Sequence, residues 1–321
     1  MQTRMQALLI AGPTASGKSA LAIHLAKKLD GVVVNADSMQ VYQPLRVLTA
    51  RPSVEEEAEV PHALFGHVGA GQPYSVAHWL ADATAALYRI MARGQLPIVT
   101  GGTGMYFRAM TQGLSDIPAV PEAVRARIRA LEAEIGVTAL HARLQACDPE
   151  TASSLNPTDP QRVIRAMEVF EATGRSIRSF QGPRHGAVVD PARSLAVFLE
   201  PDRDVLRARI DARFEQMMRQ GALEEVEALA RLGLDPALPV MRAHGVPGLM
   251  AALRGELSMD QAIDKGKAVT RRYAKRQHTW FRHQAPDFVW MTPDGAQARI
   301  ESLLEAVPSP QQAWTAPHKD Q

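Results

Sequence analysis

Hydrophobic positions are spaced in two different ways along this chain, and the change of spacing divides it. In the first third, short apolar runs alternate with longer amphipathic stretches. Residues 7–11, 31–36 and 96–100 are mainly apolar runs of strand length, each followed by glycine or a polar turn. Between them, residues 20–28 place Leu21, Leu25 and Leu29 on one helical stripe. Residues 75–93 keep alanine, leucine and methionine to one side, with Ser75 placed to cap the first turn. Strand and helix in alternation predict parallel strands with crossover helices, a doubly wound sheet. Such sheets bind ligands at the carboxyl ends of their strands.

From about residue 121 to residue 180 the period is helical and no strand is evident. Residues 120–131 form an amphipathic stretch with arginines on one side. Residues 159–171 form another, with Asp159 as cap, Pro160 in the first turn and Gly174 as stop. Residues 195–199 then read as a strand returning to the sheet, 202–284 as helical again, and 288–291 as a last strand. The expected fold is therefore α/β, a parallel-sheet core of the P-loop NTPase type with an all-helical insertion domain. Residues 1–115 and 186–307 would make the core with its C-terminal helices. Residues 116–185 would make the insertion. The Pro/Gln-rich residues 308–321 read as a disordered tail.

The chemistry is densest just after the first strand. Gly12, Pro13, Thr14, Ala15, Ser16, Gly17, Lys18 and Ser19 fit G-x-x-x-x-G-K-[ST], with a strand before them and a helix after them. Glycines let the backbone curl so that N–H groups converge on an oligophosphate at a positive helix end. Lys18 would neutralise its oxygens, and Ser19 would offer a hydroxyl to Mg²⁺. The loop predicts phosphate without specifying ATP. Asp37 follows the second strand; it could hold Mg²⁺ or act as a general base. Thr103 stands among Gly101, Gly102 and Gly104 after the third strand, where glycines permit close approach to a ligand. Residues 270–282 are the densest basic stretch. Helical spacing puts Arg272, Lys275, Arg276 and Thr279 on one face and turns aromatics inward, an arrangement that suits phosphate contacts.

Composition changes this picture little. A formal net charge of +2 means any nucleic acid must be met by a local basic surface. One cysteine, Cys147, excludes an internal disulfide and suits a reducing compartment; no apolar run is long enough to span a bilayer. A cytoplasmic protein without a membrane partner is expected.

Five segments together carry a resemblance: 12–19, 35–42, 101–106, 159–174 with Gln-Arg-Val-Ile-Arg-Ala-Met-Glu-Val, and 273–281 with Ala-Lys-Arg-Gln-x-Thr-Trp-Phe. In content, order and spacing the chain resembles the tRNA dimethylallyltransferases, or tRNA isopentenyltransferases. The resemblance implies transfer of a dimethylallyl group from dimethylallyl diphosphate to the exocyclic amine of an adenosine 3′-adjacent to the anticodon. It implies that Gly12, Pro13, Thr14, Ala15, Ser16, Gly17, Lys18 and Ser19 cradle the diphosphate with Mg²⁺, the metal resting on Ser19. Asp37 would be the base, and Thr103 would orient the diphosphate. The tRNA anticodon stem-loop would meet Asp37, Ser38, Met39, Gln40, Thr103, Arg125, Gln161, Arg162, Val163, Ile164, Arg165, Arg242, Ala243, His244 and Gly245, with the protein acting as a monomer. Three departures stand out: Leu48 precedes Thr49 where the family carries a small residue, Ala63 follows His62 where a second histidine is common, and Val246 and Pro247 replace an aromatic and a basic residue.

Physics gives the same reading a basis. An aromatic amine is a poor nucleophile that a carboxylate assists, and the departing diphosphate builds charge where Lys18 and the loop N–H groups converge. A P-loop kinase of a nucleotide or small metabolite is the alternative; it would need ATP and no RNA.

Overall fold

The computed structural model describes residues 5–305; the predicted tail at 308–321 lies outside them. The chain forms two compact units, one from residues 112–187 and one from the segments on either side.

The larger unit begins with β1 (Ala7–Ala11), α1 (Lys18–Leu29), β2 (Gly31–Asn35), α2 (Val54–Glu59), β3 (His62–Ala63), α3 (Val76–Ala92), β4 (Leu96–Gly101) and α4 (Gly104–Gln112). Every residue of β1 and β2 is buried, which is why these strands read as mainly apolar runs: both faces of a parallel sheet are covered. Ser75 caps α3 as expected, accepting from the His78 N–H, while the His78 ring accepts from the Ser75 N–H.

The insertion carries β5 (Leu114–Ser115), α5 (Glu122–Ile135), α6 (Val137–Cys147), α7 (Pro149–Ser153), α8 (Pro160–Thr173) and β6 (Arg184–His185). Its core is Ile128, Leu140, Leu144, Ala152, Val163, Ala166 and Met167. Asp159 accepts from the Arg162 N–H at the start of α8, and Gly174 ends that helix in the left-handed conformation. The antiparallel pair β5–β6 is new relative to the sequence reading; two residues per strand are too few for periodicity to show.

The chain returns through β7 (Ser194–Leu199), α9 (Arg203–Arg219), α10 (Ala222–Arg231), α11 (Val246–Leu253), α12 (Met259–Gln284), β8 (Val289–Met291) and α13 (Ala296–Glu305). The sheet has strand order β3-β2-β4-β1-β7-β8, and its pairs are all parallel. β1 is thus central, with Leu8 opposite Ile98 of β4 and Leu195 of β7. Parallel pairing puts the carboxyl ends of β1, β2, β4 and β7 on one edge, where residues 12–19, Asp37, Thr103 and Glu200 emerge.

Candidate active site

The loop after β1 ends at Gly17, which has φ 91° and begins α1 without a capping side chain. No acidic residue occupies the first turn of α1. Its free N–H groups and dipole therefore face the loop uncompensated, a site for an anion. Ser16 is fully buried and its Oγ has no protein partner. Lys18 Nζ donates to the Pro13 carbonyl at 3.3 Å. Burial pulls its ammonium down to about 8, with Asp37 opposing the shift and Arg213 adding to it. Arg213, from α9, donates to Thr14 Oγ. Its guanidinium is pulled to about 10 by burial, again opposed by Asp37. Two cations and one carboxylate therefore sense one another across the loop.

Asp37 is fixed at the backbone. Asn35 is buried; its side chain accepts from the Asp37 N–H at 2.8 Å and donates to the Asp37 and Leu64 carbonyls at 3.0 Å each. Asp37 Oδ1 accepts from the Met39 N–H at 2.9 Å, which leaves Oδ2 for a ligand. Thr103 Oγ accepts from the Ser38 N–H at 2.9 Å and donates to Ser38 Oγ at 3.3 Å. The glycine turn thus buttresses the turn that carries the carboxylate. A Cβ on Gly101 would overlap the Ala36 backbone, and one on Gly104 would overlap the Trp280 ring.

Two hollows adjoin these groups. One is small, about 50 Å³, and is lined by Thr14, Asp37, Met39, Leu48, Thr49, Ile210, Arg213, Phe214, Met217, His244, Thr270 and Tyr273. Carboxylate and guanidinium share its wall with the apolar side chains of Met39, Leu48, Ile210, Phe214 and Met217. The other is an open cleft of about 1050 Å³ on the far side of Arg213, bordered by Lys18, Ser19, Arg46, Arg51 and Arg209. Near Asp37 the phenols of Tyr106 and Tyr273 are both pushed well above their usual range, by burial first and the carboxylate second. Burial likewise lowers His244, whose ring packs on Tyr273 at 4.4 Å.

The predicted residues fall into three groups. Residues 12–19, Asp37 to Gln40, Thr103 and residues 242–245 lie in the larger unit. Asp37, Met39, Thr14 and His244 share the small hollow. Arg125, Gln161, Arg162, Ile164 and Arg165 lie on the insertion. Burial lowers Arg165, with Glu168 opposing the shift and Arg125 adding to it. Val163 and Ala243 correct the reading: both are buried, Val163 in the core of the insertion, and neither side chain has surface to give an RNA. The Gln-Arg-Val-Ile-Arg segment was read as one stretch, whereas a helix turns neighbours to different sides.

Sequence reasoning missed Arg213, Gln277 and Glu225. The Glu225 carboxylate accepts the N–H groups of Arg46, Val47 and Leu48 at 2.7–3.0 Å and so pins the loop that carries Leu48 and Thr49. No local pattern distinguishes Arg213 and Glu225 from other helical polar residues, whereas Gln277 stands within the 273–281 motif and only its role was missed, because its partners are distant in sequence.

The donor set suits Mg²⁺. Among the described residues no three His, Cys, Asp or Glu side chains gather into a metal cluster. Mg²⁺ does not need one, since it keeps waters and takes ligands from bound phosphate. Ser19, partly exposed on the cleft, is placed to add a hydroxyl.

A family model described as IPP transferase matches residues 40–284, and one described as isopentenyl transferase matches residues 5–62. The chain is similar to the tRNA dimethylallyltransferase of Methylocella silvestris, 58% identical over 92% of this chain and 97% of the relative. That of Beijerinckia indica is 56% identical over 93% and 99%. Among solved structures, the full-length tRNA isopentenylpyrophosphate transferase of Bacillus halodurans aligns with TM-score 0.67 and 35% identity over 94% of this chain and 96% of that one. A eukaryotic dimethylallyltransferase acting on tRNA aligns with TM-score 0.77 and 25% identity over 96% and 81%.

Proposed function

The chain belongs to the IPP transferase family, and we propose that its site transfers a dimethylallyl group from dimethylallyl diphosphate to N6 of the adenosine 3′-adjacent to the anticodon of a tRNA. The observation that carries this reading is Asp37. A carboxylate stands at the end of β2, within electrostatic reach of both Lys18 and Arg213 and open to a hollow that Met39, Leu48, Ile210, Phe214 and Met217 make apolar in part. A kinase requires cations at phosphate as well, but the apolar side chains beside the carboxylate suit a prenyl chain and a base.

In the reaction the N6 lone pair attacks C1 of the dimethylallyl group as the C1–O bond breaks. The bonding pair leaves on the diphosphate, and the amine loses a proton to Asp37 Oδ2. Lys18, Arg213 and the N–H groups at the start of α1 stabilise the charge on the leaving oxygen, because they are fixed before it develops. The 3.3 Å bond from Thr103 to Ser38 Oγ is long enough to yield its hydrogen to a phosphate oxygen. Mg²⁺, held by Ser19 and the diphosphate, would supply further charge neutralisation. The adenine must leave its stack to reach Asp37, which the anticodon loop permits more readily than a duplex. Exposed Arg272, Lys275 and Arg276 on α12, with Arg242 and the insertion's arginines, supply cations for the RNA backbone. A monomer working in the cytoplasm belongs to the same reading; no helix among the described residues is long and apolar enough to cross a membrane.

Anticodon stem-loop RNA is incubated with the protein and either labelled dimethylallyl diphosphate or labelled ATP. Label should reach the RNA only from the prenyl donor and depend on the target adenosine. Transfer from ATP instead would make the site a kinase.

A further inference from the structure

Gln277 occupies a position for which the reaction has no direct use. It lies in the middle of α12, is only 4% exposed, and spends both ends of its amide on backbone. Its Oε1 accepts from the Thr14 N–H at 3.0 Å. Its Nε2 donates to the Gly102 carbonyl at 3.0 Å. These partners are 263 and 175 residues away in sequence, and they belong to the two turns that flank the site. Gly102 is glycine for this reason: a Cβ there would occupy the place of Gln277 Nε2. One turn on, Trp280 closes over Gly104 in the same way. The phenol of Tyr273, one turn earlier, lies beside Thr103 and Gln277.

We propose that Gln277 is a positioning residue that sets the spacing between the phosphate loop and the Gly102–Thr103 turn, so that both meet the diphosphate of the donor at once. It acts through Thr14 and Gly102 and touches neither substrate. The role follows from bond directions. The Thr14 N–H, taken by an amide, is withdrawn from the ligand, which fixes the loop's plane and leaves Thr14 Oγ to Arg213. An amide alone among the twenty side chains of this length accepts at one end and donates at the other without carrying charge. The inference rests on the diphosphate reading above.

The test uses Gln277→Met, similar in length and without polar ends, in the full chain. The probes are inorganic pyrophosphate as competitor and anticodon stem-loop RNA for direct binding. Inhibition by pyrophosphate should weaken, and KM for the prenyl donor should rise, each on the order of 10-fold, the scale of losing buried hydrogen bonds. RNA affinity should stay within about 2-fold, since no phosphate-facing cation is altered. Pyrophosphate inhibition equal to wild type would overturn the proposal. So would parallel weakening toward RNA and pyrophosphate, the mark of a general structural role. If Gln277→Met does not fold, Gln277→Glu supplies the same two measurements: it keeps the acceptor for Thr14 and loses the donor for Gly102, so a donor-selective loss is again required. Wild-type protein that ignores pyrophosphate and the prenyl donor would defeat the functional reading itself, a result separable from an indifferent variant.

Discussion

The two units of this chain hold their cations in opposite ways. In the larger unit Lys18 and Arg213 are depressed by burial, tied to Pro13 and Thr14, and aimed at one place. In the insertion the arginines are exposed or half-exposed and lean on acids: Arg125 on Glu122 at 3.7 Å, Arg162 on Asp159 at 3.5 Å, Arg165 on Glu168 at 3.8 Å. The two pairs on acids open to solvent, Glu122 and Asp159, contribute little, so a phosphate can replace those acids at small cost, whereas Glu168 is buried. The first arrangement stabilises charge that appears at a single atom. The second suits a long polyanion met along many phosphates. Preorganisation belongs to chemistry, and loosely held charge belongs to docking.

The largest break in that comparison is expected from Asp37→Ala. Loss of a general base costs on the order of 10²–10⁴ in rate. Single-turnover transfer should fall by that much while RNA affinity changes by less than about 3-fold; near wild-type turnover would remove Asp37 from its role. Arg213→Met comes next. Donor use should fall on the order of 10²-fold, as when one preorganised donor to a developing oxyanion is removed, again with RNA binding preserved. A loss confined to RNA would mean that Arg213 serves the docking surface instead.

Those two residues also show what sequence alone allowed. Asp37 was legible because it follows a run of valines at the end of a strand beside a phosphate loop, all within 26 residues of Gly12. Ser75, Asp159 and Gly174 were legible as caps because capping is decided within one turn. Arg213 was not, because its meaning lies in Thr14, 199 residues away, and nothing in α9 sets it apart from its other arginines. Glu225 is hidden in the same way, and Gln277, visible within the 273–281 motif, keeps its partners hidden. β3, β5 and β6 escaped because a two-residue strand has no period. Leu48 departs from the small residue usual before Thr49, and the structure accounts for it: Leu48 is buried and lines the small hollow, its Cδ1 against Gly245.

A smaller effect is expected from replacing Arg125, Arg162 and Arg165 together by glutamine. Each phosphate contact adds about 0.7–0.9 to the salt slope of binding, so the slope should drop by about two while turnover at saturating RNA holds. Unchanged affinity and slope would leave the insertion without its docking role.

The smallest effect concerns stability. Burial pulls Lys18 down to about 8 in the folded chain, from its ordinary value of 10.5 when unfolded. The folded state is therefore penalised wherever Lys18 is charged, fully so below about pH 8, and the penalty fades as pH rises toward 10.5. Ligand-free Lys18→Met should melt a few degrees above wild type at pH 7, with the gap narrowing above pH 8. Its activity should fall all the same. A wild type more stable than Lys18→Met at pH 7 would contradict the burial of that ammonium.

The central place of β1 has a consequence for how the protein is made. β1 leaves the ribosome long before β7, one of its two neighbours, and before Arg213 and Gln277, which clasp the loop that follows it. Synthesis runs at about 5–20 residues per second, so that loop waits on the order of ten seconds or more for the helices that shape it. During this interval one edge of a wholly apolar strand stands open, the condition under which strands pair with the wrong chain. That edge closes only when β7 pairs with β1, and the loop takes its shape only with α9 and α12.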